Sequence, residues 1–225
     1  MGESKPSQGD QQMLISYRLL RKSVGLVGIM LPVQLLIYSF IFENSVRDSI
    51  SSYYWPSTRD LSEKAVSVWS PTCGILVGSL CSIGVFLWAY CGDQKWDARA
   101  GNLACVTAVG VALFPCSPVD GDRWTHVVHF PSAAVPFILL AYFCLVSFPT
   151  QDPGTTPTHK KPLRNKLYRC CGAVILLCIV TIASLHLFYG KQTPGSSVFW
   201  LESAAVWVFG WAWYIKGQGL GFVQD

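Results

Sequence analysis

Long apolar segments alternate with polar stretches along the whole of this chain. Most of them approach the roughly 20 residues that a helix needs to cross a membrane, and only the third is short. The pattern predicts an all-α, polytopic bundle of six transmembrane helices over residues 22–217, with an N-terminal tail over 1–21 and a C-terminal tail over 218–225. The predicted spans cover approximately residues 24–42, 73–91, 101–118, 127–148, 170–189 and 198–215.

Composition supports a membrane domain. Apolar residues make up 51% of the chain and charged residues 13%, which is about half of the roughly 25% that soluble domains carry. With 225 residues, six spans and short connections use nearly the whole sequence. We therefore predict one membrane domain without a separate soluble domain.

The connections between the predicted spans differ in positive charge from one side of the membrane to the other. One alternate set of segments, which includes both termini, holds twelve of the 17 Lys and Arg residues. The other five are Arg47, Arg59, Lys64, Arg123 and Lys191. Because Lys and Arg in short loops stay on the cytoplasmic side, both termini are predicted to be cytoplasmic. The protein is predicted to be an integral membrane protein, which in a bacterium would lie in the plasma or inner membrane. The basic residues form no separate patch, so no nucleic-acid partner is predicted.

Polar and ionisable residues collect at the predicted outer face. Such groups are costly inside membrane spans and are functional candidates by default, and the deepest are His186 and Glu202. The sequence therefore predicts an outward-facing polar pocket that binds a lipid or a small ligand. Its predicted residues are Ser49, Ser51, Ser52, Tyr53, Arg59, Asp60, His126, His129, His186 and Glu202.

The same histidines indicate two alternatives. His126 and His129 share one helical face and, with His186, offer three ligands for zinc. This layout resembles that of the membrane hydrolases related to alkaline ceramidases and adiponectin receptors, which implies a metal-bound water that attacks a lipid amide or ester. The motif order and the seven helices of those enzymes are absent here. The second alternative is a purely structural polar cluster, and no cofactor besides zinc is indicated.

Most of the nine cysteines lie inside apolar runs, where Cys behaves as a small hydrophobic residue. Cys73 and Cys116 both fall at the predicted outer face. A disulfide between them requires an oxidising compartment, and two free thiols are the alternative.

Several short motifs run through the chain: Arg21 to Pro32, Ser49 to Tyr54, Arg59-Asp60, Val77 to Leu87, Val111 to Pro115, a His at the start of the fourth span, Tyr168 to Gly172, Phe199 to Glu202 and Lys216-Gly217. Together they resemble an uncharacterised family of bacterial multi-pass membrane proteins. The resemblance implies a six-helix membrane fold and assigns no activity. In the family pattern the Arg-Asp pair runs almost directly into the next helix, whereas here Leu61 to Ile75 intervenes.

Overall fold

The computed structural model describes residues 8–56, 70–90, 92, 94–116, 123–150, 159–190 and 193–218. Its regular structure within these residues is entirely helical, which confirms the predicted all-α class. A π-helical turn follows α1 at Ser39–Glu43 and another follows α4 at Phe143–Ser147, and the loop after α1 contains a 3₁₀ turn at Ser51–Tyr54. The α-helices are α1 (Gln8–Tyr38), α2 (Pro71–Trp88), α3 (Lys95–Leu113), α4 (Arg123–Tyr142), α5 (Lys161–Tyr189) and α6 (Ser197–Lys216).

Five of these helices are long and apolar enough to cross a membrane, which is consistent with an integral membrane protein. α3 is not among them, although it has 19 residues. Its first two turns carry Asp97, Arg99 and Asn102, so its apolar part is short. The segments with this length and composition are Ile15–Glu43, Pro71–Trp88, Val127–Ser147, Lys161–Tyr189 and Ser197–Lys216.

All six helices begin before the predicted spans, and three of them begin six or more residues earlier. α1 begins at Gln8, inside the predicted N-terminal tail, α3 begins at Lys95 and ends at Leu113, and α5 begins at Lys161. Their first turns are rich in polar residues that are good helix formers but lie outside any apolar run. At α3 the buried carboxylate of Asp97 also accepts a hydrogen bond from the backbone N–H of Gln94 at 3.2 Å, which caps the new helix start.

The helices form a closed ring. Each helix packs against its neighbours in the sequence, and α6 returns to pack against α1. Gly217, just past α6, lies against Arg18 and Lys22 of α1. We call the end of the bundle that holds these three residues the terminal end. The opposite end holds the loop from Glu43 to Trp55 and is called the loop end.

Aromatic side chains fill the ring at the terminal end. Trp213 is fully buried, and its ring centroid lies 4.8 Å from that of Tyr90, 5.7 Å from that of Phe143 and 5.3 Å from that of Phe148. The ammonium group of Lys216 lies 5.5 Å from the centre of the Phe148 ring. Because these rings fill the terminal end, the cavities inside the described bundle lie between this aromatic cluster and the loop end.

Candidate functional site

Arg47 organises the loop between α1 and α2. Its Nε donates to Glu43 Oε2 at 2.9 Å, and its Nη2 pairs with the other oxygen of the same carboxylate. Its Nη1 donates to the backbone carbonyls of Ser52, at 2.9 Å, and Trp55, at 2.6 Å. The two charged side chains are only 13% and 7% exposed. A bidentate pair of this kind has fixed geometry, so it holds both ends of the loop together.

Two contacts attach this loop to the helices. The Tyr53 side chain is fully buried, and its hydroxyl hydrogen-bonds with the Ser39 hydroxyl and accepts from the Arg47 backbone N–H at 3.3 Å. The backbone N–H of Phe199, in the first turn of α6, donates to the carbonyl of Asp48 at 2.8 Å. The loop therefore forms a rigid cover over the N-terminal end of α6.

Glu202 lies beneath this cover, about one turn into α6. Its Oε2 accepts a hydrogen bond from the backbone N–H of Ile50 at 2.7 Å. No residue in the described part of the chain donates to its second oxygen, Oε1, which stays available to a ligand. Among the described residues, Glu202 forms no ion pair with His186 or with an arginine.

A cavity of about 400 Å³ lies between α4, α5, α6 and the loop, and we call it the loop-end cavity. Its volume is within the range of roughly 300–1,000 Å³ that ligand pockets occupy. Its polar wall consists of Asp48, Ser49, Ser51, Cys116, His129, His186, Thr193 and Glu202. Its apolar wall consists of Phe130, Ala133, Ala134, Phe137, Ile179, Ile182, Ala183 and Val198.

A smaller cavity of about 90 Å³ lies inside the ring and is lined almost entirely by aliphatic and aromatic side chains. It shares four lining residues with the loop-end cavity: Ser51, Ala133, Phe137 and Glu202. Glu202 therefore lies at the junction between a polar space under the loop and an apolar space in the bundle.

His129 and His186 both line the loop-end cavity, but they form no metal site with the described residues around them. The buried His129 donates from Nδ1 to the carbonyl of Phe114 at 2.8 Å, which ties α4 to the end of α3. The ring of Phe130 packs edge-on against His186, with centroids 6.2 Å apart. Within the described residues, no group of three or more His, Cys, Asp and Glu side chains is placed to hold a metal ion, and the side chain of His126 lies outside them.

Cys73 and Cys116 are free thiols in the structure. Cys116 follows the end of α3, and its carbonyl accepts a hydrogen bond from the indole N–H of Trp55 at 2.5 Å. Burial, and after it the negative charge of Glu202, raises the pKa of the Cys116 thiol to about 11. Because the thiolate is the reactive form, this shift disfavours nucleophilic chemistry at Cys116.

The structure brings together only part of the predicted pocket. Ser49, Ser51, His129, His186 and Glu202 all line the loop-end cavity. Ser52 and Tyr53 do not line this cavity. The Ser52 hydroxyl donates to the Ser49 carbonyl at 2.6 Å, and the Tyr53 hydroxyl bonds to the Ser39 hydroxyl. The predicted Arg59 and Asp60, and the side chain of His126, lie outside the described residues.

The sequence did not indicate the residues that shape the site but belong to residue types that are common in membrane helices and loops. The apolar wall from α4 and α5, including Phe137 and Ile179, carries no signal beyond ordinary membrane-helix composition. The charge pattern marks Arg47 only as a loop cation, although its spacing of four from Glu43 is the spacing of a helical ion pair.

Comparison with known proteins adds no relative. No protein-family model, curated protein or solved structure matches this chain. The geometry and chemistry of the loop-end cavity are therefore the basis for a functional proposal.

Proposed function

We propose that this chain is a six-span integral membrane protein that binds an amphiphilic ligand, a lipid or a small molecule, in the loop-end cavity. The observation that carries the proposal is the division of the cavity wall, with carboxylates and hydroxyls under the loop and aromatic and aliphatic side chains between the helices. This arrangement suits a ligand with a polar head and an apolar body.

The carboxylates indicate which kind of head the cavity would take. Glu202 and Asp48 are hydrogen-bond acceptors when ionised, and Glu202 Oε1 has no donor among the described residues. A cationic or hydrogen-bond-donating head, such as an amine, would complete this set. The hydroxyls of Ser49 and Ser51 stand at the same wall and add weaker partners.

Six spans with both termini on the cytoplasmic side fit the geometry better than five. Five crossings are an odd number and would put the two ends of the chain on opposite sides of the membrane. In the bundle, Gly217 lies beside Arg18 and Lys22, which supports an even number. We therefore assign α3 as the sixth span, packed between α2 and α4, and the loop end as the outer face. The resemblance to a bacterial family supports the plasma membrane, which is the inner membrane of a Gram-negative bacterium.

Protease accessibility tests this topology. Cleavable epitopes are placed before Met1, after Asp225 and between Gly195 and Ser196 of the full chain, and cleavage is compared in intact and permeabilised cells. We expect the epitope at Gly195 to be cut in intact cells and both terminal epitopes to be cut only after permeabilisation. Termini that are cut on opposite sides would contradict six spans.

Ligand binding is tested with the protein in nanodiscs and a fluorescent long-chain primary amine as the probe. We expect saturable binding, and we expect Glu202→Gln to weaken it about 10- to 100-fold, since a hydrogen bond to a charged group contributes roughly 1.5–3 kcal/mol. The glutamine keeps an oxygen for the Ile50 N–H, so the loop should stay attached. Ala183→Phe, which fills the apolar wall, should also abolish binding.

Two controls define the result. Val106→Phe adds an aromatic ring at an exposed position of α3, where Val106 is 68% exposed, and should leave probe affinity unchanged. A probe with the same chain and a sulfate head should bind weakly. Equal binding of both probes, or equal loss in both phenylalanine variants, would overturn the proposal.

Stoichiometric zinc in the purified protein that is lost in His126→Ala would favour the metal-dependent hydrolase instead.

A further inference from the structure

Among the five helices long and apolar enough to cross a membrane, α5 has the least cover from the rest of the described chain. Only 17% of its apolar window is buried, against 56% for α6. One face of the helix carries a continuous row of exposed residues at intervals of three and four, which is the spacing of a single helical stripe. We call this row the α5 stripe, and it consists of Pro162, Lys166, Arg169, Ala173, Leu177 and Val180.

The beginning of the stripe is strongly cationic. A groove of about 590 Å³ follows this part of α5, and its lining includes Lys161, Asn165, Lys166 and Arg169. Among the described residues, no carboxylate pairs with Lys166 or Arg169. Two exposed cations without an anionic partner, beside an amide donor, offer a binding place for a phosphate group.

The rest of the stripe is apolar. Leu177 is 66% exposed and Val180 is 61% exposed, and Ala173 leaves a shallow step between them and the cations. From Arg169 to Val180 the helix rises about 16 Å. This is about half of the roughly 30 Å hydrocarbon thickness of a bilayer, which is the depth that one acyl chain fills.

We propose that the α5 stripe binds an anionic phospholipid of the leaflet at the terminal end. Its phosphate lies against Lys166 and Arg169, and one acyl chain follows Ala173, Leu177 and Val180. The order of charge and apolar surface along the stripe matches the order of head and tail in such a lipid. This site is separate from the loop-end cavity and does not depend on what that cavity binds.

Native mass spectrometry of the purified full chain tests the site by titration with phosphatidylglycerol and with phosphatidylcholine of the same acyl chains. We expect the wild type to prefer phosphatidylglycerol. The double variant Lys166→Gln with Arg169→Gln should bind it about 30-fold more weakly, because each cation near anionic lipid contributes about fivefold. The charge-conserving exchange Lys166→Arg with Arg169→Lys should retain most of the affinity.

A matched control separates a site from general charge. Arg18→Gln with Arg99→Gln removes two exposed cations near the same end of the bundle, on α1 and α3, and should change the affinity less than threefold. An equal loss in this control, or no preference in the wild type, would overturn the proposal. Glycerol phosphate should not compete with the lipid. Full competition would overturn the role of the apolar half of the stripe.

Discussion

Replacing Gly210 by valine is expected to lower the free energy of unfolding by about 3 kcal/mol or more, because α1 and α6 touch there through their backbones. A Cβ atom on Gly210 would lie 2.7 Å from the carbonyl oxygen of Gly25 and 2.7 Å from Ile29 Cγ1. A Cβ atom on Gly25 would lie 2.5 Å from the carbonyl oxygen of Gly210. Backbone atoms cannot rotate away, so the two helices must separate.

This separation would open the ring at the contact that closes it. The indole N–H of Trp207 donates to the backbone carbonyl of Ile29 at 3.2 Å, one turn from the glycines, and this bond should be lost as well. Denaturant titration of the detergent-purified protein, followed by tryptophan fluorescence, measures the change.

Gly78→Val is the matched control for this variant. Gly78 lies on an exposed part of α2, and a Cβ atom there meets nothing within 4 Å. We expect its unfolding free energy to stay within about 0.5 kcal/mol of the wild type, as is usual for surface substitutions. If both valine variants lose the same stability, close backbone contact is not what joins α1 to α6.

Arg47→Ala is expected to cost about 3–5 kcal/mol, because it leaves the largely buried carboxylate of Glu43 without its partner. It also removes the donors to the carbonyls of Ser52 and Trp55. The loop that carries Asp48, Ser49 and Ser51 should then become accessible to protease. Limited proteolysis with mass mapping, together with denaturant titration, measures both effects.

Arg47→Lys and Arg18→Ala complete this experiment. Lysine keeps the charge but cannot make the paired contacts of a guanidinium, so we expect an intermediate loss of stability. Arg18 is exposed, and its removal should have little effect. A loop that stays resistant to protease in Arg47→Ala would show that the contacts of Tyr53 and Phe199 are sufficient to hold it.

The helical class was predictable from local sequence because a long apolar run satisfies its own backbone hydrogen bonds only as a helix. The helix starts were less predictable. Two polar segments lie outside the apolar runs, yet each forms the beginning of a helix: Lys95 to Arg99 begins α3, and Lys161 to Arg169 begins α5. Hydropathy reports where a helix is apolar, whereas its ends depend on caps such as the Asp97 carboxylate.

The polar pocket was only partly predictable for a related reason. Depth along a span can be counted from sequence, and this places His129, His186 and Glu202 near one end. Rotation about the helix axis depends on which faces pack, and sequence spacing does not determine it. Ser52 bonds within its own loop and Tyr53 packs against α1 and α6, while Phe137 and Ile179 enter the wall of the loop-end cavity.

The sequence alone determined that this chain forms long helices, that most of them suit a membrane, and that its polar groups gather toward one end, since each property depends on neighbours in the chain. The tertiary structure decided which groups meet. Glu202 accepts its hydrogen bond from Ile50, 152 residues away, and Gly25 meets Gly210 across the ring closure. Contacts of this kind depend on close packing of whole helix surfaces, so they are decided only when all the helices are in place.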